Sequence, residues 1–233
     1  VKTHSQGEYV FDHGWARGYE AAGGRYYPKL QVAVPFTPVT GPRLLHRAGI
    51  APAQAAAALI AGLDHLARRI DASSTHLTFL TDDQAAILDK LGGLIRNDWQ
   101  FHWFNAGHDS FDAFLGDLAS RKRKAIRRER SAALAAGITI RHATGADIRE
   151  ADWDAFFAFY MNTGARKWGR PYLNRRFFSE IGARMADRIL LVFAEREGQP
   201  IAGAINFIGA QTLYGRNWGA IEEHPFLHFE VCY

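Results

Sequence analysis

The sequence predicts a mixed α/β (α+β) protein in which mostly antiparallel sheets are flanked by helices. Strand-like and helical segments alternate over residues 26–104, and a long helical segment covers 109–137. Three strand-like segments separated by tight turns follow between 188 and 218. The chain has 233 residues and 48% hydrophobic composition, so it is long enough for one large domain or two small ones.

The first region predicts three strands and two helices. Leu30 and Val32 alternate with other residues in a segment bounded by prolines, which is typical of a short half-buried strand. Asp82 or Asp83 is suited to cap a helix, because a carboxylate can accept hydrogen bonds from the first free backbone N–H groups. We expect the strands at 26–36, 75–80 and 99–104, and the helices at 52–70 and 82–94.

The most distinctive segment is SRKRKAIRRER, residues 120–130. Seven of the ten residues from Arg121 to Arg130 are cationic, and Glu129 is the only acid among them. The rest of the chain has 21 basic and 23 acidic side chains, so the net charge of +4 arises locally. This pattern favours one anion-contact site over a generally basic surface, although a solvated helix face is the alternative interpretation.

The basic segment is predicted to be helical. Asp109 or Ser110 is suited to the N-cap position and Gly137 to the residue after the C-terminus, with a break near Ser120 left open. The apolar side is expected to continue a stripe formed by Phe111, Phe114, Leu115 and Leu118. At 100° per residue, six cations cover about half of the circumference: Arg121, Arg123, Lys124, Arg127, Arg128 and Arg130.

A third region begins after Gly137 with a predicted strand at 138–142 and an aromatic-rich helix at 153–164. Next comes GARKWGRPYLNRRFF, residues 164–178, in which cations and aromatic residues are interleaved. Such a segment suits either nucleotide stacking or a structural cation–π cluster, and both interpretations stay open. Its candidate binding residues are Arg166, Lys167, Trp168 and Tyr172.

Three predicted strands follow, at 188–195, 200–208 and 212–218, joined by turns at Gly198 and Gly209. A helix is expected to start near Pro225. An antiparallel meander that follows one helix and precedes another matches the middle of an acetyltransferase-type (GNAT) domain.

Several motifs in order resemble the FemAB-like proteins, in the branch labelled peptidoglycan biosynthesis/recognition. They are the segment 11–41 and the motifs AAGITIR, RKWGRPY, PIAGAINF, LYGRNWGA and PFLHFEVCY. The resemblance implies two GNAT-like domains in tandem. Residues 1–108 would be the C-terminal part of the first domain, 109–137 a basic connecting helical segment, and 138–233 the N-terminal part of the second. We therefore expect an internal fragment with both outer ends missing.

The resemblance also implies an activity, namely transfer of an amino acid from aminoacyl-tRNA to an amine of a peptidoglycan precursor. Such a reaction needs a base for the amine proton, donors for the tetrahedral oxyanion, and cations for tRNA or a diphosphate-linked precursor. The basic segment would supply the cations. No cofactor is expected. The default location is the cytoplasm, and a transient contact with the inner membrane surface stays open.

Candidate proton acceptors cluster after the third strand of the meander: Glu222, Glu223, His228 and Glu230. Tyr214 and Arg216 alternate along that strand and would donate to an oxyanion if they face a cleft, and Lys29 is a similar candidate in the first domain. Surface carboxylates, a helix-capping histidine and a core tyrosine are the competing structural interpretations.

Two other functions remain open on the sequence. An acyl-CoA-dependent N-acyltransferase would carry a loop of the form [RQ]xxGx[GA], but none follows Trp218, and the loop at 39–45 has one glycine and a proline. A non-catalytic module that binds cell-wall precursor or RNA would need only the cations.

Other classes of site find little support. The histidines and the single cysteine show no zinc-ligand spacing, so no metal is expected. Cys232 has no partner for an internal disulfide, which fits a reducing compartment. No apolar run approaches the roughly 18 residues of a membrane span.

Overall fold

The structure, a computed structural model, describes residues 1–4, 12–167 and 171–233, except for the side chain of Lys167. The chain divides into two compact units, Val1–Trp103 and Phe104–Tyr233. Both units combine helices with strands, which confirms the predicted mixed α/β class. The tandem GNAT arrangement and its domain bounds stay predictions.

The first unit contains a two-stranded parallel sheet and three described helices. The strands β1 (Leu30–Val32) and β2 (Thr75–Leu77) pair with Leu30 opposite Thr75. Both strands are shorter than predicted, and in β1 prolines on either side limit the strand. The helices are α1 (His13–Ala21), α2 (Pro52–Arg69) and α3 (Asp82–Lys90).

Helix α2 buries small residues, and α3 differs from the prediction at its N-cap. In α2 the buried residues are Ala55 and Ala56, whereas Leu59 and Leu66 are exposed. Thr81, not Asp82 or Asp83, occupies the N-cap position of α3, so both aspartates fall in its first turn, where carboxylates interact favourably with the helix dipole.

The strand predicted at 99–104 is wrong. The segment has no regular secondary structure, and Trp99 and Phe101 are 90% and 100% exposed. Alternating aromatic residues predict a strand only where a neighbouring strand supplies hydrogen bonds, and no described strand pairs with this segment.

The second unit is built on an antiparallel sheet with strand order β3-β4-β5-β6. Its strands are β3 (Ile138–Thr144), β4 (Ile189–Arg196), β5 (Gln199–Ile208) and β6 (Leu213–Ala220). Three of them match the predicted meander within a few residues. Glu197 and Gly198 have φ of 54° and 74° in the turn between β4 and β5, as a tight hairpin requires.

Helices cover both faces of this sheet. Because side chains alternate along a strand, Leu191 and Phe193 of β4 face one helix pair while Val192 and Ala194 face the other. The first pair is α6 (Glu150–Lys167) and α7 (Arg175–Met185). The second face holds α8 (Leu227–Cys232), together with Leu134 of α5 (Ser120–Leu134).

The predicted basic helical segment consists of two helices. Ser110 caps α4 (Phe111–Asp117), because its hydroxyl accepts a 3.1 Å hydrogen bond from the backbone N–H of Ala113. Leu118 is extended and Ala119, with φ of −52° and ψ of 138°, is not helical, so α5 begins as a separate helix at Ser120. The prediction of a single apolar stripe through both helices is therefore wrong. Helix α5 does bury one side, at Ala133.

Candidate active site

A groove of about 370 Å³ opens in the second unit, where β6 ends, α6 passes over the sheet and α8 begins. It combines two carboxylates, two histidines, one guanidinium and one indole in a small space. Its lining residues are Thr163, Arg166, Trp218, Ala220, Glu222, Glu223, His224, Leu227 and His228.

Close packing of α6 on β6 fixes one wall of this groove. A Cβ atom at Gly219 would lie 2.3 Å from the backbone oxygen of Phe159, so only glycine permits this approach. The backbone N–H of Ala220 lies 3.4 Å from the Thr163 hydroxyl, and the N–H of Ile221 donates to Ile201 at 2.9 Å. The loop that follows β6 therefore leaves the sheet from a fixed point.

Glu222 is the most constrained side chain of the groove. Arg196, at the end of β4, donates to both of its carboxylate oxygens, at 2.8 and 3.0 Å. Nε2 of His224 lies 3.0 Å from one of the same oxygens. The hydrogen bond from Arg196, reinforced by His224, lowers the pKa of Glu222 to about 2. Glu222 is thus an anion at neutral pH and a poor proton acceptor.

This charge state determines the tautomer of His224. An ionised carboxylate only accepts hydrogen bonds, so Nε2 of His224 must carry the proton that it donates to Glu222. In neutral His224 the basic lone pair is then on Nδ1. A histidine oriented in this way by a carboxylate is a typical general base.

The second carboxylate of the groove, Glu223, forms an ion pair with Arg166 of α6. Arg166 also lies 3.5 Å from the backbone oxygen of Ala220. Two carboxylates are therefore matched by two guanidinium groups, those of Arg166 and Arg196. The site has mixed polarity and no excess of positive charge.

An aromatic pair lines the remaining part of the groove. The imidazole of His228 and the indole of Trp218 have ring centroids 5.2 Å apart at an angle of 57°. His228 is exposed, whereas Trp218 is half-buried on β6. The pair offers a flat apolar surface beside the charged groups.

The model of the FemAB-like family, described as peptidoglycan biosynthesis/recognition, matches residues 1–233, the entire chain. The chain belongs to the FemAB-like family. This confirms the resemblance carried by the sequence motifs and connects the protein with peptidoglycan biosynthesis or recognition. No curated protein matches the chain.

Within this FemAB-like chain, the groove gathers only part of the candidate residues. Glu222, Glu223, His228 and Arg166 line it. Glu230 lies elsewhere on α8, where Arg130 of α5 donates to both of its oxygens at 2.8 and 2.9 Å. Its side chain is 7% exposed, so it connects two helices and does not face the groove.

Tyr214 and Arg216 also lie outside the groove lining. Arg216 is the extra residue of a β-bulge, because Ile205 pairs with Asn217 and Asn206 with Gly215. Its guanidinium donates to the hydroxyl of Tyr172 at 2.5 Å. The structure therefore brings Arg216 and Tyr172 together, at the edge strand that also carries the exposed Tyr214.

Lys29 is fully buried in the first unit, not exposed in a cleft. It forms an ion pair with the equally buried Asp12, which also accepts a 2.8 Å hydrogen bond from Tyr26. Burial raises the pKa of Tyr26. Burial and the nearby positive charge of Lys29 lower the pKa of His76. A buried, compensated lysine of this kind is inaccessible to a substrate.

The cations of the basic helix α5 differ in whether they contact other parts of the protein. Arg123 donates to the backbone oxygen of Gly116 at 3.0 Å, and Arg127 pairs with Asp112 at 3.1 Å. The other predicted anion-binding residues of the helix, Arg121, Lys124 and Arg128, are exposed. Trp168 and the side chain of Lys167 lie outside the described residues.

Of the interleaved segment, residues 164–167 end α6 and residues 175–178 begin α7. Arg175 is held by Glu150 and Asp154 at 2.6 and 2.7 Å, and Phe177 packs against Phe178 in the core. This part of the segment is structural, whereas Arg166 reaches the groove.

Sequence analysis missed His224 and Arg196. A signal for His224 was present, because Glu222 and His224 are two residues apart just after a predicted strand, and extended backbone places such residues on one side. Arg196 gave no signal, since it is 26 positions from Glu222.

In the described ranges, no three His, Cys, Asp or Glu side chains are grouped as they would be around a metal ion. No helix within the same ranges has both the length and the apolar character needed to cross a membrane.

Proposed function

We propose that this FemAB-like protein transfers an aminoacyl or acyl group to an amine of a peptidoglycan precursor, with His224 as general base. The observation that carries the proposal is the hydrogen bond from Nε2 of His224 to ionised Glu222, which leaves Nδ1 as the basic atom on a groove. The family description supplies the connection with peptidoglycan.

The residues support the following reaction. The amine nitrogen attacks the carbonyl carbon of an ester or thioester donor and gives one proton to Nδ1 of His224. Glu222 stabilises the imidazolium that forms, and Arg196 keeps Glu222 in place. The tetrahedral intermediate collapses as the bond to the leaving oxygen or sulfur breaks, and that atom receives the proton. One amide forms, and one alcohol or thiol is released.

Three other groove residues have supporting roles in this proposal. Glu223 attracts the ammonium form of the acceptor, which loses one proton to solvent before it reacts, and the ion pair with Arg166 keeps Glu223 in place. Trp218 contributes a flat apolar surface against which a substrate can pack.

Aminoacyl-tRNA is the donor that we propose, in preference to acyl-CoA. A CoA pyrophosphate needs either backbone N–H groups of a glycine-rich loop or an excess of cations. The loop between β6 and α8 instead carries Glu222 and Glu223, and both nearby guanidinium groups are already paired with them. This favours a donor whose phosphates bind outside the groove.

The proposal is tested with purified protein, a peptidoglycan precursor that has a free amine, and labelled aminoacyl-tRNA or acyl-CoA as donor. We expect product from aminoacyl-tRNA, and a loss of about 10²–10⁴-fold in kcat/KM for His224→Gln. His142→Gln is the matched control, because His142 is an exposed histidine of β3 that does not line the groove.

Product from acyl-CoA alone would replace the proposed donor by the alternative one. Precursor binding with no transfer from either donor would show a non-catalytic binding module. Full activity of His224→Gln would remove His224 from the mechanism.

A further inference from the structure

Thr163 places a hydroxyl group in the wall of the groove. It lies near the end of α6, where it is half-buried and one helical turn before Arg166. Its Oγ1 accepts a long hydrogen bond, 3.4 Å, from the backbone N–H of Ala220 at the end of β6. The hydroxyl therefore lies beside the point from which the loop with Glu222 and His224 leaves the sheet.

The hydroxyl proton of Thr163 is not used within its own helix. A serine or threonine in a helix can donate this proton to the carbonyl oxygen four residues earlier. Ser131 of α5 does so, with a 3.0 Å hydrogen bond to the carbonyl oxygen of Arg127. In the part of the chain that the structure describes, Thr163 donates neither to the corresponding oxygen of Phe159 nor to another acceptor. The proton is therefore available to a molecule in the groove.

The proposed reaction needs such a donor. When the amine attacks, negative charge develops on the carbonyl oxygen, and a hydrogen-bond donor already in place lowers the barrier. The charged Arg166 is paired with Glu223, and His224 donates through Nε2 to Glu222. The ring of His228 is exposed, so water competes for its hydrogen bonds. The half-buried hydroxyl of Thr163 meets less of this competition.

We propose that the hydroxyl of Thr163 donates a hydrogen bond to the oxyanion of the tetrahedral intermediate. The inference rests on the proposed function and deepens it, because it adds a second catalytic residue to the same site. The proton stays on Oγ1, so the bonds that form and break are those already described. The N–H of Ala220 polarises the hydroxyl that accepts from it, which strengthens the hydrogen bond that the hydroxyl donates.

The base and this hydroxyl line the same groove of about 370 Å³. One reacting centre can thus have its carbonyl oxygen at Thr163 and its attacking amine at His224. The two groups are also connected through the backbone, because Ala220 precedes His224 by four residues. The contact between α6 and the end of β6 therefore holds the donor and the base in one arrangement.

The test compares two variants of Thr163 by steady-state kinetics of the transfer reaction. Thr163→Val keeps the shape of the side chain and removes the hydroxyl, so we expect kcat to fall by about 10²–10³-fold with little change in KM. Thr163→Ser keeps the hydroxyl and should retain most of the activity. Thr139→Val is the matched control, because Thr139 is an exposed threonine of β3 that does not line the groove.

A second measurement separates catalysis from a structural role, since Thr163→Val also removes the acceptor of the Ala220 N–H. A phosphonate analogue of the tetrahedral intermediate carries a charged oxygen in place of the oxyanion. Its affinity should fall in Thr163→Val by about the same factor as kcat/KM. Thermal denaturation verifies that each variant is folded.

Full activity of Thr163→Val would overturn the inference, and so would equal losses of kcat in Thr163→Val and Thr163→Ser. A lower kcat with unchanged phosphonate affinity would also overturn it, because the hydroxyl would then act only on the position of the loop. If His224→Gln is inactive while Thr163→Val is fully active, the inference fails and the proposed function stands. Absence of transfer by the wild type would contradict both.

Discussion

Nε2 of His224 donates a 3.0 Å hydrogen bond to Glu222, and Glu222 is held on its other side by two hydrogen bonds from Arg196. The three side chains form a hydrogen-bond network that runs from the end of β4 to the groove. Because the carboxylate at its centre is ionised, the network fixes both the position and the tautomer of the histidine.

The first prediction concerns this hydrogen-bond network. A glutamine at position 222 can donate a hydrogen bond as well as accept one, so Glu222→Gln permits the wrong histidine tautomer and withdraws the negative charge beside the imidazolium. We expect kcat and kcat/KM of the transfer reaction to fall at least tenfold, as measured by steady-state kinetics.

Glu223→Gln is the matched comparison, because it removes the same charge from the adjacent residue, which pairs with Arg166 and not with His224. It should lower kcat less than Glu222→Gln does, because it leaves the hydrogen bond between His224 and Glu222 in place. An equal kcat in the two variants would show that Glu222 does not act through His224.

The second prediction is an acid-stability effect of the same carboxylate. Its pKa is lowered from 4.5 to about 2, chiefly by Arg196, so its contribution to folding is complete above pH 4.5 and is lost as pH falls through 2. Glu222→Gln should therefore flatten the pH dependence of the free energy of unfolding in this window. Urea denaturation at several pH values measures it.

Glu197→Gln serves as its control. Glu197 contacts the same arginine at 3.8 Å and is exposed, so its removal should change the pH dependence little. A similar flattening in both variants would contradict a specific role for Glu222.

The third prediction concerns the buried pair of the first unit. Lys29→Met leaves the Asp12 carboxylate buried without its cation, which should reduce the free energy of unfolding by about 3–5 kcal/mol. The double variant Asp12→Leu/Lys29→Met removes both charges and should recover much of this loss.

Urea denaturation compares these two variants with Arg25→Met, whose exposed pair with Asp71 should contribute less than about 1 kcal/mol. A double variant less stable than Lys29→Met would contradict this account.

Local patterns in the sequence were enough to predict the meander. The short apolar segments that form β4 and β5, and the glycine in the turn between them, are properties of neighbouring residues, so composition and turn chemistry reveal them. The break at Leu118 and Ala119 was left open, because helix propensity alone does not decide where two amphipathic helices change direction.

The candidate site depended on contacts that the sequence does not show. Arg130 and Glu230 pair across 100 positions, and this contact removed Glu230 from the candidate bases. Charge density singles out the basic segment in the sequence, but only tertiary contacts separate the cations that hold α4 and α8 from those that face solvent.

The last prediction tests whether the groove depends on the approach of α6 to β6. A Cβ atom at Gly219 would lie 2.3 Å from the Phe159 backbone oxygen, and backbone cannot move aside as a flexible side chain can. Gly219→Ala should therefore displace α6, lower the free energy of unfolding by about 1–3 kcal/mol and reduce transfer activity, since α6 carries Thr163 and Arg166 of the groove. Gly215→Ala is the matched control on the same strand, because its Cβ would meet only Asn206 Oδ1 at 3.5 Å, an ordinary contact. Thermal denaturation and a transfer assay on both variants measure the difference. Equal stability and activity of the two would show that the groove tolerates a separation of α6 from the sheet.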